Sequence, residues 1–194
     1  MSTSFYSASE LRAIGFKALG ENVLISRKAS IYGPGSISIG SNVRIDDFCV
    51  LSGGSGLALG NFVHIASYCA LFAGSGIVMR DFSGLSARVL IYSQSEDYSG
   101  NSLTNPTVPE RYKPKFKKGK VVLEKHAIVG ANSTILPGTV LAEGAAVGAH
   151  SLVTKNCEAW WIYFGIPAKK LRRRSKALLD LEKELLATSL NVQI

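Results

Sequence analysis

No run of about 18 uninterrupted apolar residues occurs, the length a helix needs to cross a bilayer, so no membrane span is expected. The start does not resemble a secretory signal. Three cysteines without zinc-ligand spacing argue for a reducing compartment, and a cytoplasmic location is expected. The three histidines, His64, His126 and His150, lack the spacing of a metal site, so no metal is expected. Net charge is +8, but the basic runs carry no interleaved aromatics and no known nucleic-acid module, which argues against nucleic acid as a partner.

What the chain does have is a beat. Leu19, Ile39, Leu59 and Met79 are twenty apart, as are Ile25, Ile45, Ile65 and Leu85, and Ile31, Leu51, Leu71 and Ile91. Within each copy the three rows are six residues apart, and the beat returns in Leu123, Val129, Ile135, Leu141, Val147 and Val153. Regularity of this kind is read as a solenoid, here a triangular prism of short strands. An ordinary sandwich of short strands does not hold a fixed spacing over so many rows. Four residues after each row position a small residue also points inward, for example Val43, Cys49, Val63, Cys69, Ser133 and Ala145. Gly or a small polar residue directly after the aliphatic position suits a bend between faces, since Gly tolerates positive φ. In the early copies the two extra residues fall in Gly-rich corners around Gly33-Pro34-Gly35, Gly53-Gly54 and Gly74-Ser75-Gly76.

The chain divides into residues 1–18, a lead with a short helix; 19–168, the solenoid; and 169–194, a basic, helical tail. Ser7 and Glu10 fit a capping box and Gly15 a helix stop. In the tail, Leu171, Leu178, Leu181 and Leu185 lie at helical spacing, as expected of an amphipathic helix that docks on the prism or on a neighbouring subunit. Lys169, Lys170, Arg172, Arg173, Arg174 and Lys176 cluster after the last coil, and Lys113, Lys115, Lys117, Lys118 and Lys120 form a second cluster. Such runs are ordinarily solvated surface, but they also suit a polyphosphate ligand.

Four blocks carry a resemblance: Val129-Gly130-Ala131-Asn132-Ser133, Ile135-Leu136-Pro137-Gly138, Val147 to Lys155, and Gly165-Ile166-Pro167-Ala168-Lys169. In this order and spacing they resemble the hexapeptide-repeat acyltransferases, specifically the sugar acetyltransferases of bacterial surface-polysaccharide (O-antigen) biosynthesis. The resemblance covers Leu19 to Lys176 and implies an all-β solenoid, a left-handed parallel β-helix. It further implies a homotrimer with active sites between subunits, acetyl-coenzyme A as donor and a sugar as acceptor. Gly130, Ala131, Gly148 and Ala149 match the corner positions along which pantetheine lies. Thr154 and Lys155 match residues near the nucleotide end, and Lys169 and Arg172 match cations that meet coenzyme A phosphates.

Residues 92–120 interrupt the beat without helix or strand period, and so long an excursion from a regular scaffold is expected to be functional. In the resembled family this loop supplies a histidine base, yet the corresponding place reads Ser95-Glu96-Asp97 and the loop has no histidine. A hydroxyl acceptor needs a base to become nucleophilic, whereas an unprotonated amine attacks a thioester directly. The expected reaction is therefore N-acetylation of a nucleotide-linked amino sugar, with O-acetylation and a non-catalytic scaffold as alternatives. Glu96 is the expected proton acceptor, Asp97 orients it or the sugar, and Tyr92, Tyr98 and Asn101 contact the acceptor. His126, projecting outward where the chain rejoins the prism, is a second candidate base. His150 is expected at the donor corner, and His64 has weaker grounds for a role.

Overall fold

The computed structural model describes residues 4–191. Residues 1–3 and 192–194, which belong to the expected lead and tail, lie outside the described residues. Two-to-five-residue strands wind as a left-handed β-helix whose three faces are sheets of six, six and eight strands, parallel except at the last strand of the eight. Each sheet gathers one of the sequence rows. On the first face Leu19, Ile39, Leu59, Met79, Leu123 and Leu141 pair in succession. The second stacks Ile25, Ile45, Ile65, Leu85, Val129, Val147 and finally Tyr163. The third runs Ile31, Leu51, Leu71, Ile91, Ile135 and Val153. Residues 93–120 therefore leave the prism without shifting its register: Met79 meets Leu123 as Leu59 meets Met79.

The interior is one continuous column of these side chains with the small inward residues between them. Ile45, Ile65, Leu71 and Ile91 are wholly buried, and Cys49, Cys69, Ala127, Ser133 and Ala145 fill the narrow corners. A fully buried Leu or Ile contributes about 1.5–3 kcal/mol of transfer free energy, so the stack is the dominant stabilising term.

The corners work differently from the sequence expectation. Gly20 and Gly130, directly after the row residues, are absent from the positive-φ residues. They are needed because coils touch there. A Cβ on Gly20 would lie 2.5 Å from the carbonyl carbon of Gly40, and one on Gly130 would lie 2.5 Å from the amide nitrogen of Ala149. The bend itself falls further along, on residues held in the left-handed region. These include Asn42, Phe62, Phe82, His126 and Trp160 at one corner, and Phe48, Tyr68, Arg88, Asn132 and His150 at another. That conformation costs an L-residue roughly 1–2 kcal/mol. Coil-to-coil hydrogen bonds, such as Phe82 N–H to the Asn61 carbonyl at 2.9 Å, hold it in place. Ring stacking adds to this, with centroids 4.6 Å apart in Phe62–Phe82 and 5.0 Å in Phe48–Tyr68.

Helix α1 (Ala8–Ala13) carries the expected capping box, and Gly15 follows it with φ +83°. At the other end the expectation of a helical tail from residue 169 requires correction. Lys169–Arg173 is a strand, antiparallel to Trp161–Phe164, and it closes the eight-stranded sheet. Only then does helix α2 (Leu178–Asn191) begin, and its Leu181, Leu185 and Leu186 are exposed.

All three cysteines are free and buried. Their thiols lie inside the prism, with Cys49 Sγ donating to the Ala66 carbonyl and Cys69 Sγ to the Ser86 carbonyl, both at 3.1 Å. Burial pushes the Cys157 thiol up to about 12. Because the thiolate is the reactive form, the native protein at pH 8 is expected to leave Ellman's reagent unreacted, with three thiols titrating only after unfolding. Rapid reaction in the native state would contradict the inward placement.

Candidate active site

The loop is anchored before it becomes irregular. Ser93 is buried, its hydroxyl donates to the Phe72 carbonyl at 2.8 Å, and it accepts the Ser75 N–H at 2.9 Å. Gln94–Ser95 then pairs antiparallel with Lys117–Lys118, drawing the two ends of the loop together. Beside this ribbon lie two cavities. One, of about 410 Å³, is walled by Tyr92, Tyr98, Thr134 and Leu136. The other, of about 750 Å³, lies within the loop among Arg111, Lys113, Phe116 and Lys118. Gln94 and Glu96 line both.

Glu96 stands at that junction. Its Oε1 accepts the Asn105 N–H at 3.1 Å, while its Oε2 is buried and has no hydrogen-bond partner. A buried carboxylate oxygen left without a donor is costly, and such a group in a cavity wall suits a donor brought by a ligand. Asp97 is occupied differently. It accepts the N–H groups of Ser99 at 3.0 Å and Asn101 at 2.8 Å, as well as the Ser99 hydroxyl. Hydrogen bonds from Ser99 hold its carboxyl below the ordinary range. It secures a turn rather than orienting Glu96. The Asn101 side chain donates to Ser99 Oγ at 2.7 Å within the same turn. Tyr98 is almost wholly exposed at the cavity mouth, and Tyr92 stacks on Phe72 with centroids 5.2 Å apart.

His126 is not the exposed edge residue expected from the sequence. It is 6% exposed, stacked against Phe82 at 5.2 Å, with Trp160 at 6.3 Å on its other side. Its Nε2 lies 2.9 Å from Glu182 of α2, which also pairs with Lys125 at 2.5 Å. Burial pushes the Glu182 carboxyl up, but hydrogen bonds from Lys125 and His126 outweigh it and hold the group below its usual range. Arg174 completes the clasp by donating to the carbonyls of His126 and Gly144. His126 lines neither cavity; it ties the tail to the prism.

The expected donor positions form a continuous corner. Gly130, Ala131, Gly148 and Ala149 succeed one another on adjacent coils, and the column continues to Ser86, Ala87 and Ala66, which line a groove of about 380 Å³. Among the described residues, the N–H groups of Ala131 and Ala149 donate to no backbone carbonyl. His150, at the same corner, lies 3.3 Å from the Asn132 amide. Thr154 and Lys155 are exposed just past the last strand of the third face. In the closing strand Lys170 pairs with Glu158 and Arg173 covers Trp161, whereas Lys169 and Arg172 have no acidic partner among the described residues. The two cations matched to coenzyme A phosphates are thus available to an anionic ligand.

His64 is exposed, facing outward as expected. It borders the corner groove, and its Nε2 lies 2.8 Å from Asp46, which also accepts from Arg44 at 2.7 Å. In the register Arg44–His64–Gly84, a glycine on the next coil leaves the imidazole open to the groove. Among the described residues no group of three His, Cys, Asp or Glu side chains converges as a metal site would require.

No family model matches the chain. A dTDP-4-amino-4,6-dideoxy-D-glucose acyltransferase from Escherichia coli is 49% identical over 174 residues, covering 89% of this chain and 90% of that protein. The chain belongs to the hexapeptide-repeat acyltransferases. AntD, an N-acyltransferase from Bacillus cereus crystallised with dTDP and 3-hydroxybutyryl-CoA, superposes on this acyltransferase with a TM-score of 0.93 and 51% identity, covering 98% of this chain and all of AntD. A hexapeptide-repeat acetyltransferase from Vibrio cholerae, complexed with acetyl-coenzyme A, shares the fold alone, with 16% identity and a TM-score of 0.62 over 87% of this chain and 76% of that one.

For the acyltransferase, His126→Ala removes a buried hydrogen bond and a ring stack, which together contribute about 1–3 kcal/mol. The melting temperature is expected to fall by several degrees, with kcat and both KM values within about twofold of wild type. A loss of kcat of about 10²-fold in the folded variant would return His126 to the list of candidate bases.

Proposed function

We propose that this acyltransferase moves an acyl group from coenzyme A to the amine of a nucleotide-linked 4-amino-4,6-dideoxyhexose. One observation carries the reading: near-full-length similarity, at about half of all positions, to an acyltransferase of dTDP-4-amino-4,6-dideoxy-D-glucose. AntD, about as similar over its whole length, has been solved with that amino sugar nucleotide together with coenzyme A. The loop supports the same chemistry, since it offers a carboxylate and no histidine.

The acceptor enters as an ammonium ion and gives its proton to Glu96. The free amine then attacks the thioester carbonyl, and an uncommitted corner N–H supports the oxyanion that forms. The carbon–sulfur bond breaks, and the attacking nitrogen gives its second proton to the departing thiolate. An amide is left on the sugar, coenzyme A leaves as the thiol, and Glu96 returns the first proton to solvent. Pantetheine runs along the corner of Gly130, Ala131, Gly148 and Ala149, and its nucleotide end reaches Thr154, Lys155, Lys169 and Arg172. Tyr92 and Tyr98 flank the sugar.

We read the working form as a homotrimer with its sites between subunits. The exposed leucines of α2 and the exposed Phe48 and Tyr68 support this, because apolar groups so placed favour association. No described helix is long and apolar enough to cross a membrane, and three free thiols suit the cytoplasm. The product serves synthesis of a surface polysaccharide such as O-antigen.

Coenzyme A release from acetyl-coenzyme A distinguishes the acceptors. Turnover is expected with dTDP-4-amino-4,6-dideoxyglucose and not with the same nucleotide sugar bearing a 4-hydroxyl; the reverse preference would make this an O-acyltransferase. Running 3-hydroxybutyryl-coenzyme A in parallel identifies the preferred donor. Glu96→Gln is expected to lower kcat by about 10²-fold, and unchanged turnover at saturating acceptor would remove Glu96 as the proton acceptor.

A further inference from the structure

The larger cavity is a use for the loop's basic cluster that the acyl-transfer chemistry does not require. Between Glu110 and Lys120 the chain holds Arg111, Lys113, Lys115, Lys117, Lys118 and Lys120 against the single carboxylate of Glu110. Of these, Arg111, Lys113 and Lys118 line the cleft, around the half-buried ring of Phe116. The ammonium groups of Lys113 and Lys118 lie 5.7 and 5.8 Å from the ring centroid. Lys113 is steadied by donating to the Asn105 carbonyl at 3.0 Å. Lys118 has only a loose, exposed contact with Glu110 at 3.8 Å. Among the described residues no carboxylate pairs with Arg111 or Lys113. Like charges gathered around one cleft repel one another, and an anion relieves that repulsion.

At the inner end of the same cleft the sign reverses. Glu96, with its buried, unpartnered oxygen, stands where the cleft meets the cavity of Tyr92, Thr134 and Leu136. Cations outside and a carboxylate within match a ligand that is anionic at one end and cationic at the other. A sugar nucleotide bearing a protonated amine has that polarity, two phosphates followed by an ammonium. Coenzyme A has the phosphates but carries no cation beyond them.

We infer that the cleft formed by Arg111, Lys113, Phe116 and Lys118 binds the diphosphate of the acceptor, with the amino sugar directed inward to Glu96. The inference rests on the nucleotide-linked acceptor of the preceding section. Donor and acceptor then approach from different sides, the donor along the prism corner and the acceptor through the loop, and each has its own set of cations. Arginine and lysine suit phosphate oxygens by charge-assisted hydrogen bonds.

Calorimetric binding of dTDP and of coenzyme A, each to the full-length protein, separates the two cation sets. For Arg111→Gln/Lys113→Gln, dTDP is expected to bind about tenfold or more weakly, with coenzyme A within twofold of wild type. Lys169→Gln/Arg172→Gln is expected to do the opposite. Unchanged dTDP affinity in a loop variant that melts like wild type would overturn the inference, as would equal weakening of both ligands. If wild type binds dTDP normally, the nucleotide-linked reading survives that failure. If wild type binds no dTDP while acylating a free amino sugar, the reading itself fails, and the cleft assignment with it.

Discussion

Everything in this molecule depends on coils lying in register. Parallel strands from successive coils hydrogen-bond without offset, so each interior side chain rests on its equivalent one coil away. The prism is narrow enough that one branched aliphatic per edge fills it, with room near the corner for only a small residue. This constraint fixes the spacing of the rows, and the spacing in turn places the outward positions in straight columns. A ligand lying along a corner therefore meets the same backbone geometry at every coil. The corner of Gly130, Ala131, Gly148 and Ala149 carries only small residues at these positions.

The rows, the inward small residues, the capping box and the loop were all legible in the sequence, because each obeys a local rule of spacing or composition. The bends were less so. Glycine after the row residue was expected to supply positive φ, and instead it permits coil contact, while phenylalanine, tyrosine and histidine make the turn. Propensity disfavours those residues there; stacking along the column and coil-to-coil hydrogen bonds compensate, and neither is visible in one repeat taken alone. His126 was placed in the correct column but misjudged in exposure, since the group that covers it, Glu182, lies 56 positions away. The strand Lys169–Arg173 was hidden for a similar reason. A run of cations reads as solvated helix until its partner strand, Trp161–Phe164, is known. Of the expected site residues, Glu96 lines both cavities with a buried, unpartnered oxygen, whereas Asp97 and Asn101 are engaged in a turn of their own.

The loop and the tail divide the work of handling charge. Ser93 and Asp97 hold the loop with hydrogen bonds on either side of Glu96, whose buried oxygen is left without a donor at a cost the rest of the fold must offset. The tail spends most of its cations on structure: Arg174 on carbonyls, Arg173 and Lys176 on the two tryptophans, Lys170 on Glu158. Lys169 and Arg172 are what remains, presented from a strand whose position is fixed by the sheet beside it.

That closing strand also turns the prism into a measuring rod. Strands in a sheet are about 4.8 Å apart, so the three steps from Leu85 through Val129 and Val147 to Tyr163 span about 14 Å, and the antiparallel strand lies one step beyond. The loop departs from the coil of Leu85, where these steps begin, and Lys169 and Arg172 stand on the strand one step beyond the last of them. Their separation is therefore set in whole coils and cannot be tuned by a fraction of one. A gain or loss of one repeat would preserve the core and move Lys169 and Arg172 by a full step relative to Glu96. Solenoid length thus sets the distance between two charged groups as well as the size of the core.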